Sequence, residues 1–382
     1  MKIYFIGQKG IPAKDGGVEN YVDNLAVRLA KQGHNVFAYT HWNYSNRQQK
    51  KYKGVNLINL PSIPTKNLDT ITNTILATLH VLFMKADIIH YHSIGPSSLL
   101  WIPKLFKRNT AVVATFQSQC YLHQKWGSFA RAYLKLGEYI LCRFTDTVIV
   151  PSRLLQQYAK KMYQRDTNYI PNGVSLPNKQ EANLIARWDL KKKNYILAVS
   201  RLIKHKGLHY LIEVYQKLQT DQKLVIVGEG AFTDDYVKEL HQLAGNNKNI
   251  IFTGSQNGKA LAQLYANAYA FVQPSESEGL SIALLEAMSY NLPIIASDIT
   301  ANKEAVGNTA FLFKNKQVND LIKQLRYALK HKKQAQALGK ESGKRVEELY
   351  DWDVLVNEVV ETYKQAYFAT QSKFFSHSLS VK

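Results

Sequence analysis

Short apolar runs alternate with longer amphipathic stretches along most of the 382 residues, and this alternation is the strongest constraint on the fold. Runs such as Ile3 to Gly7 and Ala111 to Phe116 are mostly apolar, as expected for strands that are buried on both faces. Between such runs, the stretch from Val18 to Gln32 carries one apolar helical face and ends before a glycine, Gly33. The pattern predicts repeated β-α-β units and therefore parallel sheets.

The pattern starts again after Pro171-Asn172-Gly173, where a polar stretch separates the first series of runs from a second series. Two domains are also what a chain of this length favours. We therefore expect an α/β protein of two Rossmann-like, doubly wound parallel-sheet domains that face a cleft. The predicted boundaries are residues 1–175 and 176–352, followed by an amphipathic helix over 353–370 and a tail over 371–382.

The positive charge is concentrated in the first half of the chain. Residues 1–180 contain 23 Lys and Arg against 8 Asp and Glu, whereas the remainder contains 26 against 21, within a total of +20. A basic half indicates an acidic partner, and nucleic acid, an anionic membrane surface and phosphorylated substrates all qualify. Charge that only serves solubility is the remaining alternative.

Cysteine usage and the N-terminus favour a cytoplasmic protein. Cys120 and Cys142 are the two cysteines, and they form no CxxC pair, so neither disulfides nor a structural metal are expected. Lys9 and Lys14 interrupt any apolar region of a signal peptide, and no run of about 18 uncharged apolar residues occurs. We expect no membrane span.

The strongest local motif is the segment from Pro274 to Ala287, which reads as a strand end, a loop and a helix. Backbone N–H groups of Gly279, Leu280 and Ser281 would start that helix and suit a pyrophosphate or sugar oxygens. Glu278 and Glu286 can each accept two hydrogen bonds from neighbouring hydroxyls, which sugar and ribose supply. In the alternative, Glu278 only caps the helix and Glu286 lies on its solvated face.

A second motif, Ser200 to Gly207, follows the first strand of the second series. Arg201 and Lys206 would lie at a strand end and a helix start, where two cations can hold a bound diphosphate. They could offset the charge of a departing diphosphate without a metal held by a DxD motif, so no metal site is expected. An ordinary basic loop is the alternative.

The first half offers a glycine-rich loop and a histidine at strand ends. Gly16 and Gly17 belong to a loop that lets a ligand approach the backbone, but the loop does not fit GxGxxG, which disfavours a dinucleotide site. Strand alternation places His90 and His92 on one side, with His92 nearer the carboxyl edge. A purely structural histidine is the alternative.

Taken together, these residues resemble retaining glycosyltransferases of family 4, which have the GT-B fold. The resemblance covers nearly the whole chain, and the pair Glu278 and Glu286, with the spacing E-x7-E, is specific when combined with Arg201 and Lys206. Further matches are Gly16-Gly17-Val18-Glu19, His92, Pro171-Asn172-Gly173-Val174, Ser200 and Gly228-Glu229-Gly230.

The resemblance implies a metal-independent hexosyltransferase that needs no cofactor and uses a nucleotide-sugar, such as a UDP- or GDP-sugar, as donor. It implies that the N-terminal domain binds the acceptor and that the C-terminal domain binds the donor. Arg201 and Lys206 would hold the diphosphate, Glu278 the transferred sugar and Glu286 the ribose. His92 would lie near the sugar, Gly16 and Gly17 near the diphosphate, and the helix after Trp352 would return to the first domain.

A narrower resemblance, over Lys125-Trp126-Gly127 to Glu138, is to bacterial transferases that build capsule, exopolysaccharide or O-antigen chains. It implies a lipid-linked saccharide acceptor, although no acceptor-binding residue is assigned. Gln117 stands where many relatives carry histidine, which puts a borrowed acceptor role there in doubt.

Helical spacing of Phe129, Tyr133, Leu136, Ile140 and Phe144 near basic residues also suggests peripheral contact with an anionic membrane at the inner face of the cell membrane. A stripe of this kind is often part of a core instead.

Three alternatives remain open at this stage. The two-domain fold is shared with nucleotide-sugar epimerases and phosphorylases, which only product analysis separates from a transferase. A nucleic-acid-binding protein would also be basic, but no recognition motif accompanies the dispersed charge, and we expect no nucleic acid partner. A nicotinamide-dependent oxidoreductase would need the missing glycine fingerprint.

Overall fold

The computed structural model describes residues 1–14, 16–65, 68–122, 127–178, 181–230 and 233–380. The chain divides into two compact units. Unit 1 contains Met1–Asn172 together with Trp352–Lys382, and unit 2 contains Gly173–Asp351.

Unit 1 is built on an eight-stranded sheet with the order β3-β4-β2-β1-β5-β6-β7-β8. Neighbouring strands are parallel except for β3 and β4, which pair antiparallel. The strands are β1 Lys2–Ile6, β2 Asn35–His41, β3 Lys51–Tyr52, β4 Val55–Leu60, β5 Ile88–His92, β6 Ala111–Thr115, β7 Thr147–Val150 and β8 Asn168–Tyr169.

Helices connect these strands, and a 3-10 turn at Cys120–Leu122 follows β6. The last helix of the chain also belongs to this unit, where it packs against the first helix and β6. The helices of unit 1 are α1 Gly17–Lys31, α2 Leu68–Leu82, α3 Ile94–Ser97, α4 Trp101–Phe106, α5 Ser128–Phe144, α6 Arg153–Tyr163 and, after those of unit 2, α14 Trp352–Ser380.

Unit 2 is built on a six-stranded parallel sheet with the order β11-β10-β9-β12-β13-β14. Its strands are β9 Tyr195–Val199, β10 Lys223–Val227, β11 Ile250–Phe252, β12 Ala270–Gln273, β13 Ile294–Ser297 and β14 Phe311–Phe313. Its helices are α7 Leu208–Gln216, α8 Asp234–Ala244, α9 Gly258–Asn267, α10 Ile282–Ser289, α11 Thr300–Val306, α12 Val318–Lys330 and α13 Lys332–Leu349, with 3-10 turns at Leu184–Trp188 and Lys204–Lys206.

Strand side chains are buried on both faces of the second sheet, as the apolar runs predicted. Tyr195 and Leu197 of β9 pack into one apolar cluster, whereas Ile196 and Ala198 pack into the cluster on the opposite face. Alternate side chains of a strand point to opposite faces, so helices must cover both sides of the sheet. The predicted α/β fold of two doubly wound parallel sheets is confirmed.

The strand orders place a switch point in each sheet. β1 lies beside β5 in the first sheet and β9 lies beside β12 in the second, and the order runs outward in opposite directions from each pair. Ligands of doubly wound folds bind outside the carboxyl ends of the strands at such points. The segments after Ile6, His92, Val199 and Gln273 therefore lie at the two edges where a ligand is expected.

The end of the chain differs from the expected tail. Residues from 371 continue α14 as far as Ser380. Within the described ranges, no helix combines the length and the apolarity that crossing a membrane requires.

Candidate functional site

Two of the motifs found in the sequence meet at the switch point of unit 2. The loop after β9 and the loop after β12 leave the same edge of the sheet, because these strands are parallel neighbours. The backbone N–H of Glu276 donates to the carbonyl oxygen of His205 over 2.8 Å, which joins the two loops directly. Arg201, Lys206 and Glu278 are therefore carried by one connected edge.

Lys206 and Glu278 form a close ion pair at this edge. The Lys206 Nζ lies 2.6 Å from Oε1 and 2.8 Å from Oε2 of Glu278. The side chains are only 15% and 9% exposed. Since the ammonium faces both carboxylate oxygens in a largely dry setting, each residue fixes the position of the other.

Two further polar side chains hold the Glu278 carboxylate. Gln273 Nε2 and Ser275 Oγ donate to Oε1 over 2.8 and 2.7 Å. Burial raises the pKa of Glu278, but the charge of Lys206 and the hydrogen bonds from Lys206 and Ser275 outweigh it, so the net pKa is lowered and the carboxylate stays ionised. Gln273 and Ser275 were not predicted as site residues. Gln273 is the polar residue that ends the apolar strand β12, and that position was the signal that could have identified it.

Arg201 is exposed at the same edge, and among the described residues no carboxylate forms an ion pair with it. Its charge acts on the neighbouring histidine: burial first, and then the positive charges of Lys206 and Arg201, lower the pKa of His205 to about 4. His205 is therefore neutral near pH 7. The edge presents one exposed guanidinium and one buried, paired ammonium.

Gly228 lies against Ser200 at the end of the neighbouring strand β10. Its φ is 141°, and a Cβ at this position would overlap the Ser200 carbonyl oxygen. The loop is held by hydrogen bonds from Ser200 N to Val227 O and from Leu202 N to Glu229 O. Only glycine permits this approach, which brings the predicted donor-binding residues Ser200 and Gly228 together.

The predicted helix is α10, which begins at Ile282, just after the expected start, and it carries Glu286. Gly279 and Leu280 precede the helix, and Ser281 caps it by accepting a hydrogen bond from Leu284 N. Glu286 is half-buried beside Tyr265: burial, followed by the charge and a hydrogen bond of Glu286, raises the Tyr265 pKa well above its ordinary value. The solvated-face alternative for Glu286 does not describe this environment.

The switch point of unit 1 carries His92. This histidine ends β5, is fully buried, and has no hydrogen-bond partner for Nδ1 or Nε2 among the described residues. Its ring contacts Phe5 at 5.0 Å and Tyr21 at 5.9 Å between centroids, both edge-on. Two buried ring nitrogens without partners are costly unless something else binds them, as at a functional site.

Burial lowers the pKa of His92 to about 3, so the imidazole is neutral. His90 lies beside it, with 4.1 Å between ring centroids, as strand alternation predicted. Unlike His92, His90 is satisfied on both nitrogens, by Tyr363 at 2.6 Å and Thr115 at 2.7 Å. His90 thus has the satisfied nitrogens of a structural histidine, whereas those of His92 have no partner among the described residues.

Three further residues, Gly16, Gly17 and Gln117, come in the sequence after strands that end at the same edge of the first sheet. Gly16 precedes α1 and Gly17 is its first residue. Gln117 follows β6, is buried, and has no partner for Nε2 among the described residues. Lys125 and Trp126, from the narrower resemblance, lie outside the described residues.

The chain contains one segment with DxD spacing, Asp351-Trp352-Asp353, which the sequence reasoning overlooked. Asp351 forms a backbone bridge with Val174, and the Asp353 carboxylate pairs with Arg28 at 2.8 Å. Across the described ranges, no group of three or more His, Cys, Asp or Glu side chains is placed to hold a metal ion.

Comparison with known proteins identifies the family of the chain. Residues 15–177 match the model of Glycosyltransferase Family 4, and residues 181–345 match the model of Glycosyl transferases group 1. The chain is 33% identical to the sulfoquinovosyl transferase SQD2 of Arabidopsis thaliana over 42% of this chain and 31% of that protein. It is 25% identical to the O-antigen chain mannosyltransferase B of Escherichia coli over 52% of each.

A crystal structure of HepE from Anabaena in complex with UDP-glucose has the same fold. The TM-score is 0.80 at 20% identity, over 96% of this chain and 100% of that one. The two family models follow one another along the chain, and the fold is that of GT-B enzymes. The chain belongs to the glycosyltransferases, with a Family 4 segment followed by a group 1 segment, and is a hexosyltransferase-type enzyme.

Proposed function

We propose that this enzyme transfers a sugar from a UDP- or GDP-sugar to a lipid-linked saccharide during bacterial surface polysaccharide synthesis, with retention of configuration and without a metal ion. The observation that carries the proposal is the edge of unit 2 where Arg201, Lys206 and Glu278 meet. The name of the similar O-antigen chain mannosyltransferase supports the assignment to surface polysaccharide.

The cations would act on the leaving group. In the transfer, the bond from the anomeric carbon to the diphosphate oxygen breaks and a bond from that carbon to an acceptor hydroxyl oxygen forms. The hydroxyl proton passes to the departing phosphate, which is one route to retention. Arg201 and Lys206 offset the charge that builds up on the diphosphate, as preorganised cations do most effectively in a site with little water.

The two glutamates would place the donor. Glu278 is ionised and fixed, so it can accept hydrogen bonds from hydroxyls of the transferred sugar. Glu286 lies further along α10 and would accept from the ribose hydroxyls. His92 would offer neutral imidazole nitrogens near the sugar, and Gly16, Gly17, Ser200, Gly228, Gly279, Leu280 and Ser281 would let backbone groups approach the donor.

Exposed apolar side chains support a peripheral membrane role at the cytoplasmic face. On α5, Phe129 is 87% exposed and Leu136 52%, and on the adjacent α4, Phe106 is 68% exposed. These residues occur in the half that carries 23 Lys and Arg against 8 Asp and Glu. Apolar side chains within a basic surface suit the headgroup region of an anionic bilayer.

The donor is tested with a thermal-shift screen of UDP- and GDP-sugars, followed by transfer to lipid-linked saccharides and determination of the anomeric configuration of the product by NMR. We expect one donor to raise Tm, a retained configuration, and unchanged turnover in EDTA. Loss of turnover in EDTA would contradict metal independence. A free epimerised sugar or a sugar phosphate as product would instead indicate an epimerase or a phosphorylase.

Membrane binding is tested by sedimentation with vesicles at low salt. We expect the protein to pellet with phosphatidylglycerol vesicles and to remain in the supernatant with phosphatidylcholine vesicles, because the attraction is electrostatic. Equal partition onto both kinds of vesicle would contradict the membrane proposal.

A further inference from the structure

Glu276 is a second acidic residue of the loop after β12, and the proposed transfer does not use it. It lies two positions before Glu278, and its backbone binds two other segments of unit 2. The N–H donates to the His205 carbonyl oxygen, and the Glu276 carbonyl oxygen accepts from Asn315 Nδ2 over 3.2 Å. Glu276 therefore ties the turn that carries Lys206 to the segment after β14.

The Glu276 carboxylate is bound at both oxygens. The Tyr210 hydroxyl, on the first turn of α7, donates to Oε1 over 2.9 Å, and Lys316 Nζ lies 3.1 Å from Oε2. Tyr210, Glu276 and Lys316 together form the Glu276 clamp. Because α7 follows the Lys206 turn directly, this one side chain connects both sides of the Lys206–Glu278 pair to the segment after β14.

Burial, charge and hydrogen bonding keep the clamp in one protonation state near pH 7. Burial raises the pKa of Glu276, but the hydrogen bonds from Lys316 and Tyr210 and the charge of Lys316 outweigh it, so the pKa is lowered and the carboxylate is ionised. Burial, followed by the hydrogen bond and charge of Glu276, raises the pKa of Tyr210 to about 12. The tyrosine thus remains a donor and the glutamate an acceptor.

The segment that carries Lys316 is itself held in place. Lys314 N donates to Asp320 Oδ2 in the first turn of α12 over 2.7 Å, and Asn315 N donates to Asp298 Oδ1, just after β13, over 2.9 Å. A support that is already ordered loses little entropy when it holds another side chain. The clamp is therefore anchored to the ends of β13 and β14.

Lys316 has an uncommon backbone conformation for a lysine. Its φ is 65°, in the left-handed region, where glycine fits without cost and a residue with a Cβ is strained. Its side chain is 56% exposed, and an ion pair that is open to water adds little to the stability of a fold. A lysine at this position is thus unfavourable for the backbone and nearly neutral for folding, which favours a role in the site.

We infer that the Glu276 clamp positions the Lys206–Glu278 pair for the transfer. Its three members are positioning residues, because they act through the pair that they hold. A displacement of about 1 Å between reacting groups costs up to about 10²-fold in rate, so a clamp that fixes the two loops of the pair affects turnover. The inference rests on the proposed function, because it concerns the donor site of that same transfer.

Lys316→Gly separates positioning from folding. We expect Tm to stay close to the wild-type value, because relief of the left-handed backbone offsets the greater entropy of glycine in the unfolded chain. In the transfer assay kcat should fall about 10-fold, while KM for the donor changes by less than about 2-fold. Lys316→Arg keeps a cation within reach of Glu276 and should restore most of kcat. The matched control is Lys53→Gly, at an exposed lysine of unit 1 with φ 44°, which should keep the wild-type kcat.

A second set of variants tests whether the members act as one unit. Tyr210→Phe and Glu276→Ala should each lower kcat, and the double variant should lose no more than Glu276→Ala alone, because both changes remove the same contact. Glu213→Ala, which removes an exposed carboxylate of α7 paired with Lys217, is the control and should keep the wild-type kcat. Additive losses in the double variant, or a wild-type kcat in Lys316→Gly, would overturn the inference.

Hydrogen exchange gives a readout that needs no donor. In the ligand-free protein, peptides that span 275–281 should exchange faster in Lys316→Gly than in the wild type or in Lys53→Gly, and equal exchange would overturn the inference. If no nucleotide sugar binds in the thermal-shift screen, the proposed function fails, whereas the exchange rates still show whether the clamp orders the loop. If a donor is turned over equally by wild type and Lys316→Gly, the clamp fails and the transferase remains.

Discussion

Lys206 and Glu278 hold each other in place at the switch point of unit 2, with the ammonium nitrogen 2.6 and 2.8 Å from the two carboxylate oxygens. Gln273 and Ser275 complete the carboxylate's partners, so the pair cannot rotate freely. A cation positioned in advance costs no reorganisation when charge develops on a substrate. This relationship makes Lys206 the residue whose removal is most informative.

Lys206→Ala should reduce kcat by about 10²-fold or more, because a preorganised electrostatic donor is removed from the leaving group. The measurement is a steady-state transfer assay with the donor found by the screen. Lys204→Ala removes an exposed lysine from the same 3-10 turn and should leave kcat nearly unchanged. A wild-type rate for Lys206→Ala would refute the assignment.

Glu278→Gln should lower stability at neutral pH and have less effect in acid. The pKa of Glu278 is lowered from its ordinary 4.5, so its contribution to the free energy of unfolding is present above pH 4.5 and is lost as pH falls through the lowered value. Urea denaturation of wild type and variant between pH 7 and pH 3.5 measures the difference. A difference that grows as pH falls would contradict the ionised carboxylate.

Glu286→Gln should weaken donor binding while the fold survives. The carboxylate lies beside Tyr265, whose ring stacks on Tyr290 with 5.6 Å between centroids, and an isosteric amide keeps this packing. We expect Kd for the nucleotide-sugar to rise about 10-fold, the scale of losing a hydrogen bond to a charged group. Tm of the ligand-free variant is the control, and a collapse of Tm with unchanged Kd would indicate a structural role.

His92→Asn should reduce the decrease in the free energy of unfolding between pH 7 and pH 5. Burial lowers the pKa of His92 to about 3 from 6.5, so the unfolded chain binds a proton that the folded chain excludes, and stability is lost as pH falls below 6.5. At pH 5 the wild type should have lost about 2 kcal/mol from this residue alone. Urea denaturation at pH 7 and pH 5 measures it.

Exposed His241 gives the matched control, since His241→Asn should keep the wild-type acid dependence. Parallel pH curves for wild type and His92→Asn would show that His92 is not buried in its neutral form.

Much of the fold follows from local pattern. Uniformly apolar runs predicted strands covered on both faces, and strand direction predicted that Arg201 and Glu278 follow the carboxyl ends of strands in one sheet. These predictions succeed because strand burial and strand direction depend on short stretches of sequence.

Partners distant in sequence could not be predicted in the same way. The contact between Lys206 and Glu278 spans 72 positions, and the burial of His92 without a partner depends on rings from other elements. The expected tail after residue 371 is helical as far as Ser380. Tertiary packing decides such features, and no local window contains that information.

A single missing methyl group at Gly137 has a consequence for how this enzyme can diversify. Gly137 of α5 packs so closely on α3 that any larger residue would overlap the Ile94 carbonyl oxygen and push the two helices apart. Changes of acceptor should therefore accumulate in exposed side chains of α5, such as Phe129 and Leu136, rather than through displacement of the helix. Relatives with different acceptors are expected to keep a glycine at this crossing while the residues one turn away vary.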